Sequence, residues 1–232
     1  MGLSHSPKIA TDGLVFYVDA ANNRSYPGTG TAWDDLVGEN NGTLTNGPTF
    51  SAVNGGGIDF DGTDDYVTIP DHSSLHLATG TVSLWFNADD ISSGSDVDKL
   101  FTKDGGSPAH SAGDFQLCFY GYKITLSTDN GSGSTVISDT RTVQVGRWYH
   151  IVATCDGTNE RLYVDGNLSV TGSRGDPLFG THTEPAEIGN RSRSGASHAF
   201  NGRITAVSVY NRALTAAEIR TMFDIQRGRF GV

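Results

Sequence analysis

Two cysteines, four lysines and five glutamates are all that 232 residues hold of those types. Cys118 and Cys155 are too few for a disulfide scaffold. Each sits inside an apolar run and reads as a buried free thiol. Lys and Glu solvate helix surfaces, so their shortage argues against a helical protein. Lys and Arg total 16 against 26 acidic residues, a formal net charge of −10. That balance excludes a nucleic-acid surface, which needs a positive footprint. No apolar run approaches the ~20 residues that cross a bilayer, so no membrane insertion is expected. The opening stretch MGLSHSPKIATDG has no long apolar run of the kind a secretory signal carries.

Gly and Asp are plentiful instead, with 30 and 21 copies. Both are turn residues, which points to many short strands. The strands are visible as period-two alternation. Leu14, Phe16 and Val18 alternate with Val15, Tyr17 and Asp19. In GTVSLWFNA, Val82, Leu84 and Phe86 oppose Ser83, Trp85 and Asn87. DFQLCFYGYKITLST supplies further strands, broken near Gly121. In RWYHIVATC, Ile151, Ala153 and Cys155 oppose Val152 and Thr154. Between the first two strands lies a loop rich in Asn, Gly and Thr, anchored by Trp33 and Leu36. Roughly a dozen strands at this turn spacing suit a β-sandwich. One helix is written at the end. In LTAAEIRTMF, Thr215 stands at the N-cap and Glu218 three residues on, a capping box. Ile219, Met222 and Phe223 form an apolar stripe that must lie on the sandwich. The chain reads as one domain over residues 13–223, with an arm at 1–12 and a tail at 224–232.

The stretches IDFDGTDDYVTIP, TVSLWFNA, GRWYHIVATCDGTNERLYVDG, AEIGN and FNGRITAVSVYNRALTAAEI, in that order, resemble a laminin G-like domain of the concanavalin A-like lectin/glucanase superfamily. The likeness runs from about Gly13 to Phe223. It implies an all-β jelly-roll sandwich of two curved antiparallel sheets with a short C-terminal helix. TDGLVFYVDAANNRSYPGTGTAWDDL and NRALTAAEIRTMFDIQRGRFGV resemble laminin G-like proteins of tailed bacteriophages. That second resemblance implies a non-enzymatic virion part: a capsid decoration, head fibre or tail appendage, multimeric, held by other virion proteins and adhering to a host surface polysaccharide. The alternatives are a bacterial carbohydrate-binding module, which would be extracellular, and a glycoside hydrolase.

Three sets of residues carry candidate chemistry. The superfamily resemblance implies a structural calcium ion, which needs several hard oxygen ligands. Asp61 and Asp64 are candidate ligands, with Asp19 a third. The competing reading is that Asp61, Asp64 and Asp65 only shape the turn and cap its N–H groups. The acidic pair that relatives carry in the last strand is replaced here by Thr205 and Ala206. Either no cofactor or one calcium ion follows. For glycans, Trp33, Tyr26, Tyr120 and Tyr122 sit in or beside loops and offer rings for stacking. Arg191 and Arg193 could hydrogen-bond acidic sugars. Trp85 and Trp148 read as packing residues of a core or sheet face. At the tail, Arg227, Arg229 and Phe230 read either as a frayed end or as a peg docking on a neighbouring subunit. No glucanase-like Glu-x-Asp-x-x-Glu pattern exists among the five glutamates, so no catalytic residue is expected. His72 and His76 have metal-like spacing only if helical, and DHSSLHLATG reads as a loop.

Overall fold

Alternation along the chain produces two antiparallel sheets. The computed structural model describes residues 9–91, 98–105, 113–129, 131, 133–173, 178–192 and 199–232. The first sheet holds β1 (Leu14–Asp19), β4 (Thr49–Ser51), β5 (Gly57–Asp61), β7 (Gly80–Ala88), β12 (Trp148–Cys155), β13 (Asn159–Val164), β14 (Asn167–Ser173) and β16 (Asn201–Tyr210). The second holds β2 (Ala32–Trp33), β3 (Gly42–Thr45), β6 (Tyr66–Ile69), β8 (Lys99–Lys103), β9 (Asp114–Tyr120), β10 (Lys123–Asp129), β11 (Ser134–Ser138) and β15 (Ala186–Ile188). Their spatial orders are β14-β13-β12-β7-β16-β5-β4, with β1 also on β16, and β11-β10-β9-β8-β15-β6-β3-β2. This is the expected jelly-roll sandwich, closed by helix α1 (Ala216–Phe230).

Odd and even side chains separate cleanly. Leu84, Phe86, Ile151, Ala153 and Val207 of the first sheet meet Phe101, Phe115, Leu117, Phe119 and Ile188 of the second in one core. Phe86 and Phe119 meet edge-on across the layers with centroids 5.2 Å apart. Each such side chain contributes roughly 1.5–3 kcal/mol by leaving water. Both cysteines are free and buried.

The first sheet has a second apolar side. Trp85, Trp148, Val152, Tyr163 and Tyr210 point outward and are covered by α1. The helix starts as its sequence predicts. Thr215 Oγ1 accepts Glu218 N–H while Glu218 Oε2 accepts Thr215 N–H at 2.8 Å. Its end corrects the expected tail: the helix runs on to Phe230 and stops at Gly231, whose φ of 71° provides the left-handed cap. Trp85 is the reason. Its indole stacks on Phe230 at 4.1 Å, on His150 at 4.9 Å and on Phe223 at 5.8 Å, and its N–H donates to Gln226 Oε1 at 2.7 Å. Both tryptophans are therefore sheet-face packing residues.

Candidate functional site

Among the described residues, no helix covers the outer face of the second sheet. Along β9 the inward residues Phe115, Leu117 and Phe119 fill the core, so Asp114, Gln116, Cys118 and Tyr120 face outward. Register then places Gln116 opposite Ser127, Cys118 opposite Thr125 and Asp114 opposite Asp129 on β10. A bulge between Lys99 and Phe101 lets Leu100 and Phe101 both enter the core while Lys99 stays beside Cys118.

These residues floor a groove in two adjoining parts. One, of about 390 Å³, is lined by Lys99, Gln116, Cys118, Tyr120, Thr125, Ser127 and Val136. The other, of about 270 Å³, is lined by Asp114, Gln116, Ser127, Thr128, Asp129, Ser134 and Arg191. Gln116 and Ser127 belong to both. Tyr120 is 54% exposed at one end and Val136, level with Ser127, 57%, so a ring and a methyl pair stand open along the groove.

Beneath them the polar groups are tied down. Lys99 Nζ donates to Gln116 Oε1 at 2.6 Å, and burial holds its pKa below the usual lysine range. Burial pushes the Cys118 thiol up, and Lys99 opposes that rise. Arg191 grips Asp104 with two nitrogens, Nε to Oδ2 at 2.6 Å and an outer nitrogen to Oδ1 at 3.2 Å. Asp129 accepts Gly131 N–H and Ser134 Oγ–H. Asp114 accepts Gly105 N–H. Glu187 accepts both donors of Ser192. Such bonds fix the side chains before a ligand arrives, which lowers the ordering cost of binding.

The expected sugar contacts divide. Tyr120 and Arg191 lie on this groove, at its opposite ends. Tyr122 occupies the tight turn between β9 and β10 at φ 65°, exposed and away from the groove lining. Arg193 lies outside the described residues. Two assignments are corrected. Trp33 is wholly buried in the core, and Tyr26 is 4% exposed with its hydroxyl donating to Gly30 C=O. Neither offers a ring face to a sugar, because β2 pairs with β3 and draws Trp33 inward. The lining residues Lys99, Gln116, Ser127 and Val136 were not singled out from sequence, and Cys118 was read there only as a buried thiol. For Gln116, Cys118 and Ser127 the signal was the outward half of the β9 and β10 alternation.

The aspartates form a separate group. Asp61, Asp64 and Asp65 bring carboxylate oxygens within 4.8 Å of one another. Asp61 Oδ1 accepts Thr63 N–H and Asp65 Oδ2 accepts Asp61 N–H, so the turn is capped by its own carboxylates. Asp65 is buried, and that burial, with the charges of Asp61 and Asp64, pushes its pKa up against the Asp61 N–H bond. Asp19 is not part of the group, which corrects its assignment as a ligand. Both its oxygens accept from Arg229, at 2.9 and 3.0 Å. Arg229 also donates to Gly56 C=O, Asn54 C=O and Thr205 Oγ1. Hence Arg229 and Phe230 are spent inside the chain, a correction to their reading as an assembly peg. Arg227 stays half-exposed beside Asp224, 3.6 Å away.

Residues 61–220 match the family model described as the concanavalin A-like lectin/glucanases superfamily, more than half of the chain. Pappalysin-1 of Mus musculus and of Homo sapiens are each 29% identical over 99 residues, 42% of this chain. The chain spans only 6% of their length. Among solved structures, domain 4 of AbnA, a GH43 extracellular arabinanase from Geobacillus stearothermophilus, in complex with arabinotriose, has a TM-score of 0.72 at 17% identity. The match covers 92% of this chain and 98% of that one. Trypanosoma rangeli sialidase in complex with sialic acid has a TM-score of 0.70 at 21% identity, covering 95% of this chain and 34% of that one. At such identities the structural likeness shows the fold.

Proposed function

We propose that this chain, which belongs to the concanavalin A-like lectin/glucanases superfamily, is a glycan-binding module that holds its ligand on the outer face of the second sheet without hydrolysing it. The observation that carries this reading is the groove from Tyr120 to Arg191 on the outer face of the second sheet. An exposed phenol ring beside fixed hydroxyl, amide and carboxylate groups is the mix that sugars require. The ring takes their C–H faces, and the polar groups take their hydroxyls. The likeness to an arabinanase domain in complex with arabinotriose adds support.

Hydrolysis needs one carboxyl group poised as an acid and another as base or nucleophile across the sugar. Here the acidic side chains around the groove are engaged in holding loops: Asp104 by Arg191, Asp114 by Gly105 and Glu187 by Ser192. Affinity electrophoresis through soluble polysaccharides tests the reading. The protein is retarded by at least one of them, releases no reducing ends from it, and loses the retardation as Tyr120→Ala. Free migration through every polysaccharide, or retardation indifferent to Tyr120, defeats it.

The same reading gives Asp61, Asp64 and Asp65 a structural calcium ion. Their clustered hard oxygens, one carboxylate buried, suit that cation, which would supply positive charge to a crowded acidic turn. Its test is a melting temperature that rises with added calcium and falls with chelator, with no response in Asp61→Asn. A finer placing on a virion surface, beside other virion proteins or further copies of the chain, rests on the resemblance of the opening and closing stretches. Arg229 and Phe230 supply no contact for such an assembly, so its surface would lie elsewhere.

A further inference from the structure

We infer that the groove takes the interior of a linear oligosaccharide, laid along the strands with its less polar face at Tyr120, rather than a single terminal sugar. The inference rests on the glycan-binding reading and goes on from it. Three observations support it. First, Tyr120, Cys118, Gln116 and Asp114 are alternate residues of one strand, so the lining spans six residue steps. At the rise of an antiparallel strand that is about 20 Å, roughly the length of three to four linked sugar rings. Second, the two parts share Gln116 and Ser127, so they adjoin along these two residues. A monosaccharide site would instead close around one ring. Third, the two ends differ in chemistry. Tyr120 presents an open ring at one end, while Ser134 and Arg191, beside the buried Asp114 and Asp129, present hydroxyl and charged groups at the other. A chain lying in one direction stacks a ring at the first end and spends its hydroxyls at the second.

The middle of the trough is a specificity element. Ser127 is partly buried on the floor common to the two parts, between the two ends, and its side chain is small. Val136, opposite Ser127 in the register, forms the wall on the β11 side. A branch on the central unit would meet that wall, so the preferred chain is unbranched at its centre.

The test uses an array of linear arabinan, xylan, glucan and galactan ladders from one to six units, probed with the whole chain and confirmed by calorimetry. Affinity should climb about tenfold or more from one unit to three or four in at least one ladder, then level off. Tyr120→Ala should weaken binding to every member of the ladder and flatten the climb, and Tyr120→Phe should restore both. Ser127→Leu, which fills the middle of the floor, should abolish the gain beyond two units with an unchanged melting temperature. If Ser127→Leu does not fold, Val136→Ala, on an exposed side chain, should relax the bar on branched chains. Equal affinity for one unit and for four would overturn the inference while leaving glycan binding intact. Binding to no member of any ladder would overturn both.

Discussion

The two sheets offer the same alternation and opposite outer faces. On the first sheet the outward residues are Trp85, Trp148, His150 and Tyr210, and α1 covers them. On the second they are Gln116, Ser127, Thr125 and Tyr120, and the groove stays open above them. One face has become a second core and the other a binding surface. What decides between them is composition at every other position, together with a helix long enough to reach. The covered face therefore carries stability and the open face carries recognition, and the two should come apart under mutation.

The largest effect should follow from removing the centre of the covered face. Trp85→Ala takes away three ring contacts and leaves Gln226 unpaired. Urea denaturation should show a loss of about 3–5 kcal/mol. Glycan affinity measured well below the melting temperature should hold.

Acid sharpens the contrast next. His150 lies wholly buried under α1, its Nε2 2.9 Å from Ser83 Oγ. Burial lowers its pKa from 6.5 to about 3. The fold thus keeps it neutral, while the unfolded chain binds a proton first. Stability from this group is complete above pH 6.5 and is lost as pH falls from there towards 3. The loss reaches about 2 kcal/mol at pH 5. Denaturation across this range should show that slope, and His150→Phe should remove it.

The clasp at the end of the helix comes third. Arg229→Met strands Asp19, whose side chain is only 15% exposed, and should cost about 2 kcal/mol after allowance for its partial exposure. Asp19→Asn in the same protein should recover part of that loss, because the two residues form one unit. The smallest stability effect belongs to the open face. Tyr120→Ala should change the unfolding free energy by less than about 0.5 kcal/mol, since its ring is exposed. A large loss there would erase the distinction between the faces.

Much of the sandwich was legible. The period-two runs in GTVSLWFNA and RWYHIVATC became β7 and β12, and the capping box at Thr215 became the start of α1. The end of the helix was hidden. QRGRF contains Gly228, which costs about 1 kcal/mol in a helix interior. The compensation comes from Trp85 and Trp148, far away in sequence. Distance also hid the fates of Asp19, whose partner lies 210 residues on, and of Trp33, which looked like a loop residue until β2 paired with β3. At the groove, Tyr120 was singled out as a ring beside the Gly121 turn, while its outward neighbours Gln116 and Ser127 were not. That this face would be open rather than covered depends on where the helix goes, and no local pattern records that.

The most direct measurement is a nitrogen–proton correlation spectrum of the labelled protein, titrated with the tightest-binding oligosaccharide of the array. Shifts gathered on Gln116, Cys118, Tyr120, Thr125 and Ser127, with Trp85, Phe223 and Phe230 unmoved, are the expected result. Shifts gathered under the helix or on the Asp61–Asp65 turn, with the groove silent, would contradict the account.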